Sequence, residues 1–481
     1  MNQYPLCAAI DEIGRKFFPA RMANLFLTFA ISIPLLANFL WSQSVSAAPV
    51  TGAGEVSSII LGQAAVPLNG PWRFHEGDNP AWADPNFNDS EWERVDLTAP
   101  DGSHDADVGL SGYVDGWGGR GHRGIGGYGW YRLHLHISSP DDQTLSIAGP
   151  PAVDSAYQIF WNGQLLGGIG NFGKAPPRVF SIQPRIFRNT QPASTTKSST
   201  DVLAVRVWMA PWDLADPQGG GIRIAPTLGT SFAVEKIYQS EWMETLRGYV
   251  VEVIEALGFA CLCLGAWLLA RFDRHPQRYR WLYAALLLTG AYRANQAIFF
   301  WGQFETVPAF ELISQALLYP LALAAWTMAW TRLLGVKKSR LSKVLGGVTA
   351  LYLVVTLVQY GLFHGVAHPP VTASLQVLAT CCRLFYLVYT CWLLFKSLLS
   401  NSRYRWLLSG VLLLVSIGQF APELSAIGLP GIWFPFGTGV SRAQFAYAFF
   451  FLIAALSSSL RLKDIATNRR NKEDATLREP A

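Results

Sequence analysis

The stretch that most constrains this chain is its C-terminal half. Seven apolar runs follow one another there: Tyr249–Ala270, Trp281–Trp301, Phe310–Leu334, Val344–Phe363, Ala373–Leu394, Trp406–Gly428 and Ala443–Leu462. A helix of roughly 20 apolar residues is what ~30 Å of hydrocarbon requires, and each run approaches that length. The loop charges alternate with the count. Arg271, Arg274, Arg278 and Arg280 follow the first run, Arg332, Lys337, Lys338, Arg340 and Lys343 the third, and Lys396, Arg403 and Arg405 the fifth. The intervening loops hold only Arg442. Short loops rich in Lys and Arg stay in the cytoplasm. The pattern predicts a seven-helix transmembrane bundle over 249–462 in a bacterial inner membrane. Its front end lies outside, and a short tail, 463–481, lies in the cytoplasm.

The average composition hides a split at about Tyr249. The chain has 481 residues, half of them hydrophobic, and a net charge of +5. Most of that excess is the loop bias just described, which excludes a nucleic-acid-binding reading. The inner basic clusters are expected to touch membrane lipids. Cys7 lies near the start, and Cys261, Cys263, Cys381, Cys382 and Cys391 fall in the apolar runs. Their spacing suits packing in helices rather than a metal site.

Residues 1–47 read as a secretory signal or signal anchor. Arg15, Lys16 and Arg21 precede the apolar run Met22–Trp41, and Val45-Ser46-Ala47 offers small residues for cleavage. Residues 48–65 read as a linker and 66–229 as an all-β domain. In WYRLHLHI, Trp130–Ile137, Tyr131, Leu133, Leu135 and Ile137 point one way and Arg132, His134 and His136 the other. Tyr157–Trp161 runs into Asn162-Gly163, a two-residue hairpin signal. Leu203, Val205 and Val207 form the core face of another strand, and 230–248 reads as a juxtamembrane linker.

Ordered pieces of the β segment carry a resemblance. "VPLNGPWRFHEGDNPAWADPNFNDSEWERVDLTAP", "GYGWYRLHLHI", "AYQIFWNGQLLGGIG", "VLAVRVW" and "GGIRIAPTLG" look like the galactose-binding-like jelly roll at the front of β-galactosidases and β-glucuronidases. That resemblance implies a jelly roll over about 66–229 and a carbohydrate ligand. In those enzymes the catalytic glutamates lie in a separate barrel, which has no place here before the apolar runs begin. A jelly roll followed by seven spans is similar to bacterial seven-transmembrane receptors with diverse intracellular signalling modules. That similarity implies sensing outside and output inside. Since only a short tail follows the last run, it also implies a separate cytoplasmic signalling protein.

Several residues are candidates for chemistry. The Gly-rich stretch 101–129 carries His104, Asp105, Asp107 and Tyr113. Within it Asp115, Trp117, Arg120, His122, Arg123 and Tyr128, joined by Trp212, offer the aromatic faces and polar groups that sugars use. Charges inside a bilayer are costly, which singles out Arg293, Arg383, Glu255 and Glu423. Their depth allows Arg293 to pair with Glu255 or Glu423. Pro320 and Pro422 are expected to kink their helices. Neither a nucleophile elbow, nor a zinc-protease motif, nor a phosphate-binding loop occurs. The sequence therefore predicts no enzyme, no cofactor and no metal site. It predicts instead a membrane sensor of a carbohydrate or another envelope ligand. The alternative is a transporter or membrane-embedded enzyme with an accessory carbohydrate-binding domain.

Overall fold

The computed structural model describes residues 56–60, 65–105, 109–138, 144–189, 200–211, 218–271, 276–336, 339–363, 369–399, 405–427, 429, 431–433 and 440–454. Two sheets form the first half. The larger one is built on β5 (Gly127–Ser138), flanked by β3 (Trp72–Glu76) and β11 (Asp201–Met209). It continues to β4 (Glu93–Val95) on one side, and to β8 (Ala156–Trp161) and β9 (Gln164–Ile169) on the other. β1 (Ser57–Ile60) adds in parallel to β5. The smaller sheet has the order β10 (Ile186–Arg188), β6 (Leu145–Ala148), β13 (Thr227–Thr230), β2 (Val66–Pro67). A two-residue ladder joins β7 (Val153–Asp154) to β12 (Gly221–Ile222).

The core between the sheets holds Tyr131, Leu133 and Leu135 of β5 with Leu203, Val205 and Val207 of β11. This is the face that the alternation marks. The β8–β9 turn is Asn162-Gly163, both at positive φ (47° and 85°), as a tight hairpin of this hand requires. The opposite face of β5 is not open to water. Residues 78–92 fold across it, and Trp82, Phe87 and Trp92 pack with Trp130 and Phe160.

β13 passes directly into α1 (Ser231–Ala270), capped by Thr230, whose hydroxyl accepts a hydrogen bond from Ala233 N at 3.3 Å. Forty helical residues extend about 60 Å, twice the hydrocarbon thickness. The first turns of α1 lie against the smaller sheet, where Ser231 Oγ meets Ser146 Oγ at 2.9 Å. The helices α2 (Arg280–Trp301), α3 (Val307–Leu333), α4 (Ser339–Gly361), α5 (Pro369–Leu398), α6 (Arg405–Gln419) and α7 (Arg442–Ala454) follow.

The expectation of seven crossings is corrected. Among the described residues four helices are long and apolar enough to cross a membrane: Ser231–Leu268, Val307–Leu333, Arg340–Gly361 and Pro370–Leu398. α2 has the length, but Thr289, Arg293, Asn295 and Gln296 dilute its apolarity, and it sits between α1 and α3. The sixth run breaks at Phe420, two residues before Pro422, leaving α6 and a short helical segment of six residues, Ala421–Ala426. α7 is also too short over its described length. In α3 the turn before Pro320 widens into a π-helical stretch, Leu312–Leu318. Proline cannot bond the carbonyl four residues back, that of Ala316. Thr356 Oγ1 of α4 donates to that carbonyl instead, at 3.1 Å.

Candidate functional site

A cavity of about 520 Å³ opens where the β domain meets the helices. From the β side it is lined by Asp105, Tyr113, Asp154 and Arg223, and from the helices by Thr245, Tyr249 and Phe300. Its polar wall is organised by Arg223, which is 3% exposed. The Arg223 guanidinium donates to Asp154 Oδ2 (3.1 Å), Gln218 O (2.8 Å) and Val114 O (3.0 Å), and lies 4.7 Å over the Tyr113 ring. Asp154 Oδ2 also accepts Gly220 N at 2.6 Å, and Asp105 accepts Leu110 N. The apolar floor is Tyr249 stacked on Phe300, with centroids 3.9 Å apart and planes 6° apart. A cavity with an aromatic floor and a few fixed polar groups suits a small polar ligand with apolar faces.

The β domain grips the α2–α3 connection beside this cavity. Gln183 Nε2 donates to Phe300 O (3.2 Å), Arg185 Nη2 to Gln303 Oε1 (2.6 Å), Gln303 Nε2 to Ser181 O (3.3 Å) and Val307 N to Val179 O (3.0 Å).

The Gly-rich stretch divides. Its first half reaches the cavity through Asp105, Leu110 and Tyr113. In the second half Asp115 is exposed, while Trp117 is buried, 5.7 Å from Phe74 and donating to Ile125 O. Arg120 bonds Asp115 O (2.9 Å) and Asp96 O (2.6 Å), and His122 Nε2 lies 2.6 Å from Glu93. Arg123 is exposed. Tyr128 lies away from them under the Arg206 guanidinium, 4.6 Å from it. Asp107 and Trp212 lie outside the described residues. Sequence reasoning missed Asp154, Arg223, Thr245, Tyr249 and Phe300, which no local pattern connects.

The helix charges form two separate groups. Arg293 pairs with Glu255 (2.9 Å) and also with Glu252 (3.3 Å), while Arg383 pairs with Glu423 (2.8 Å). Of the two partners that depth allowed for Arg293, the structure brings it Glu255.

No family model matches the chain, so none supports the resemblance to seven-transmembrane receptors. The chain is similar to the β-galactosidase BoGH2A of Bacteroides ovatus, 30% identical over 117 residues, which is 24% of this chain and 13% of that protein. Among solved structures it is similar to a β-glucuronidase of Bacteroides uniformis (22% identity, 34% of this chain and 17% of that one, TM-score 0.24). It is also similar to a β-glycosidase of Bacteroides vulgatus (18% identity, 34% and 20%, TM-score 0.22). The expectation that the chain is not an enzyme is contradicted by the match to a protein named as a β-galactosidase. The chain spans a fifth or less of the length of each of these relatives.

Proposed function

We propose that this chain is a membrane receptor whose β domain takes up a carbohydrate or another envelope ligand in the cavity above α1 and α2. The observation that carries the reading is that one cavity has walls from both parts, so its occupant touches strands and helices together. A ligand that fits one arrangement of the two parts better than another shifts the population between them. The lysine and arginine pattern supports placing the β domain outside the cytoplasm and the C-terminal tail inside. Output then passes to a separate cytoplasmic signalling protein.

The test is calorimetry on the full chain in nanodiscs with a panel of galactosides and glucuronides. Binding is expected, and Thr245→Trp, which fills the cavity from α1, is expected to weaken it at least about tenfold, or ~1.4 kcal/mol. The absence of binding across the panel, or binding indifferent to Thr245→Trp, refutes the reading.

A second reading is favoured by the β-galactosidase match. Here the chain is a membrane-embedded enzyme that acts on glycosides, with the β domain as its sugar-holding part. Release of nitrophenol from nitrophenyl β-galactoside or β-glucuronide by the purified full chain decides for it.

A further inference from the structure

The cavity floor stands directly over a buried charge cluster. Glu252 lies three residues beyond Tyr249 on α1, about one turn. Arg293 lies seven residues before Phe300 on α2, about two turns. Glu252 is 6% exposed, Glu255 2% and Arg293 7%. The groups that face one another come from three helices. α1 brings Glu252 and Glu255; α2 brings Arg293, Tyr292 and Gln296; α7 brings Gln444 and Tyr447.

Their hydrogen bonds are unevenly shared. Arg293 Nη1 donates to Glu252 Oε1 at 3.3 Å and to Gln296 Oε1 at 2.9 Å. Gln444 Nε2 donates to Glu252 Oε2 at 3.0 Å, so both oxygens of Glu252 are served. Glu255 is not matched in the same way. Arg293 Nε lies 2.9 Å from its Oε2 without hydrogen-bond alignment, and its Oε1 receives no donor. The rings of Tyr447 and Tyr292 lie 5.2 Å and 5.8 Å from the guanidinium and add no formal charge.

Charge counting then decides the state of the cluster. Two carboxylates share one guanidinium, which leaves one negative charge over. A buried charge without compensation is strongly disfavoured. The oxygen without a donor is also the place where an added hydrogen would sit. We propose that the Glu252–Glu255 pair, facing Arg293 beneath the cavity floor, is a binding site for one proton taken from solvent and carried on Glu255. Loss of that proton puts a second negative charge against the helix pair that forms the floor. The stacked Tyr249–Phe300 rings therefore sit on a switch that responds to pH whatever fills the cavity. The inference does not rest on the receptor reading.

Infrared spectroscopy of the full chain in nanodiscs at neutral pH reads the proton directly, through the carbonyl stretch of an un-ionised carboxylic acid. The wild type is expected to show a component of this band that Glu255→Gln removes and Glu423→Gln leaves. Glu252→Gln is expected to remove it too, although Glu255 is still present, because one carboxylate then balances one guanidinium. Should Glu255→Gln fail to assemble, Glu252→Gln alone decides. A wild-type spectrum lacking the component, or one in which Glu252→Gln retains it, overturns the proposal.

Discussion

Replacing Arg132 by alanine is expected to cost the β domain about 3–5 kcal/mol, the range for breaking a buried ion pair by removing one partner. Arg132 has no exposed surface. Its Nε donates to Asp89 Oδ2 at 2.7 Å, its Nη1 to the carbonyls of Trp82 and Asp84, and its Nη2 to that of Phe87. One side chain on the outer face of β5 thus holds down most of the segment that covers that face. Its removal strands the Asp89 carboxylate, which keeps only His134, and leaves the carbonyls of Trp82 and Phe87 without a donor, while that of Asp84 keeps Phe87 N. Lysine at this position is expected to recover little, since a single ammonium cannot reproduce a fork of donors. Urea unfolding followed by the fluorescence of Trp82, Trp92 and Trp130 measures the effect. A loss under about 1 kcal/mol, the level of an exposed pair, contradicts it.

The same cluster has a pH dependence of known sign. Burial works to raise the Asp89 carboxyl, but hydrogen bonds from His134 and Arg132, with their positive charge, outweigh it and hold the group below the usual carboxylate range. A group depressed on folding adds stability above its unfolded value, roughly 3.9, and loses it as pH falls through the lower folded value. Wild-type stability is therefore expected to fall in acid below about pH 4, and Asp89→Asn to flatten that slope.

Arg132 also shows where the sequence runs out. The alternation in WYRLHLHI fixes which residues of β5 enter the core, and the structure agrees. It also presents Arg132 and His134 as a solvated face. Their burial comes from residues 78–92, more than forty positions away, and periodicity within a strand carries no trace of that cover. The helices repeat the lesson. The start of the first apolar run at Tyr249 was legible. The helix starts earlier, at Ser231, because its opening turns pack on the smaller sheet. The run Trp406–Gly428 reads as one span by composition, yet Phe420 and Pro422 divide it. Depth in the bilayer made Glu255 and Glu423 equal partners for Arg293. Only the packing of α1 against α2 separates them. The cavity was least legible of all, since Asp105, Asp154, Arg223, Tyr249 and Phe300 meet only once both parts are folded.

Gly220→Ala is expected to be strongly destabilising although it removes no interaction. The strap at Gln218–Gly221 lies along the Gly-rich stretch: Gly116 N bonds Gln218 O, Trp117 N bonds Gly220 O and Gly118 N bonds Gly219 O, each at 2.9 Å. Gly220 has φ +98°, and a Cβ there would fall inside the indole of Trp117. Trp117 cannot yield, because it is 2% exposed and wedged against Phe74. Overpacking costs about 1–3 kcal/mol, and forcing a side chain into this backbone region adds about 1–2. The expected total is about 3 kcal/mol. Gly102 separates the two contributions, for it has φ +75° and nothing within 4 Å of its Cβ position. Gly102→Ala should then show the backbone part alone, about 1–2 kcal/mol. The strap also continues to Arg223 through the bond of Gly220 N to Asp154, so a shift in it moves the polar wall of the cavity. Thermal unfolding of both variants measures the cost. Equal losses at the two glycines would mean that Trp117 is free to move and that the strap does not clamp it.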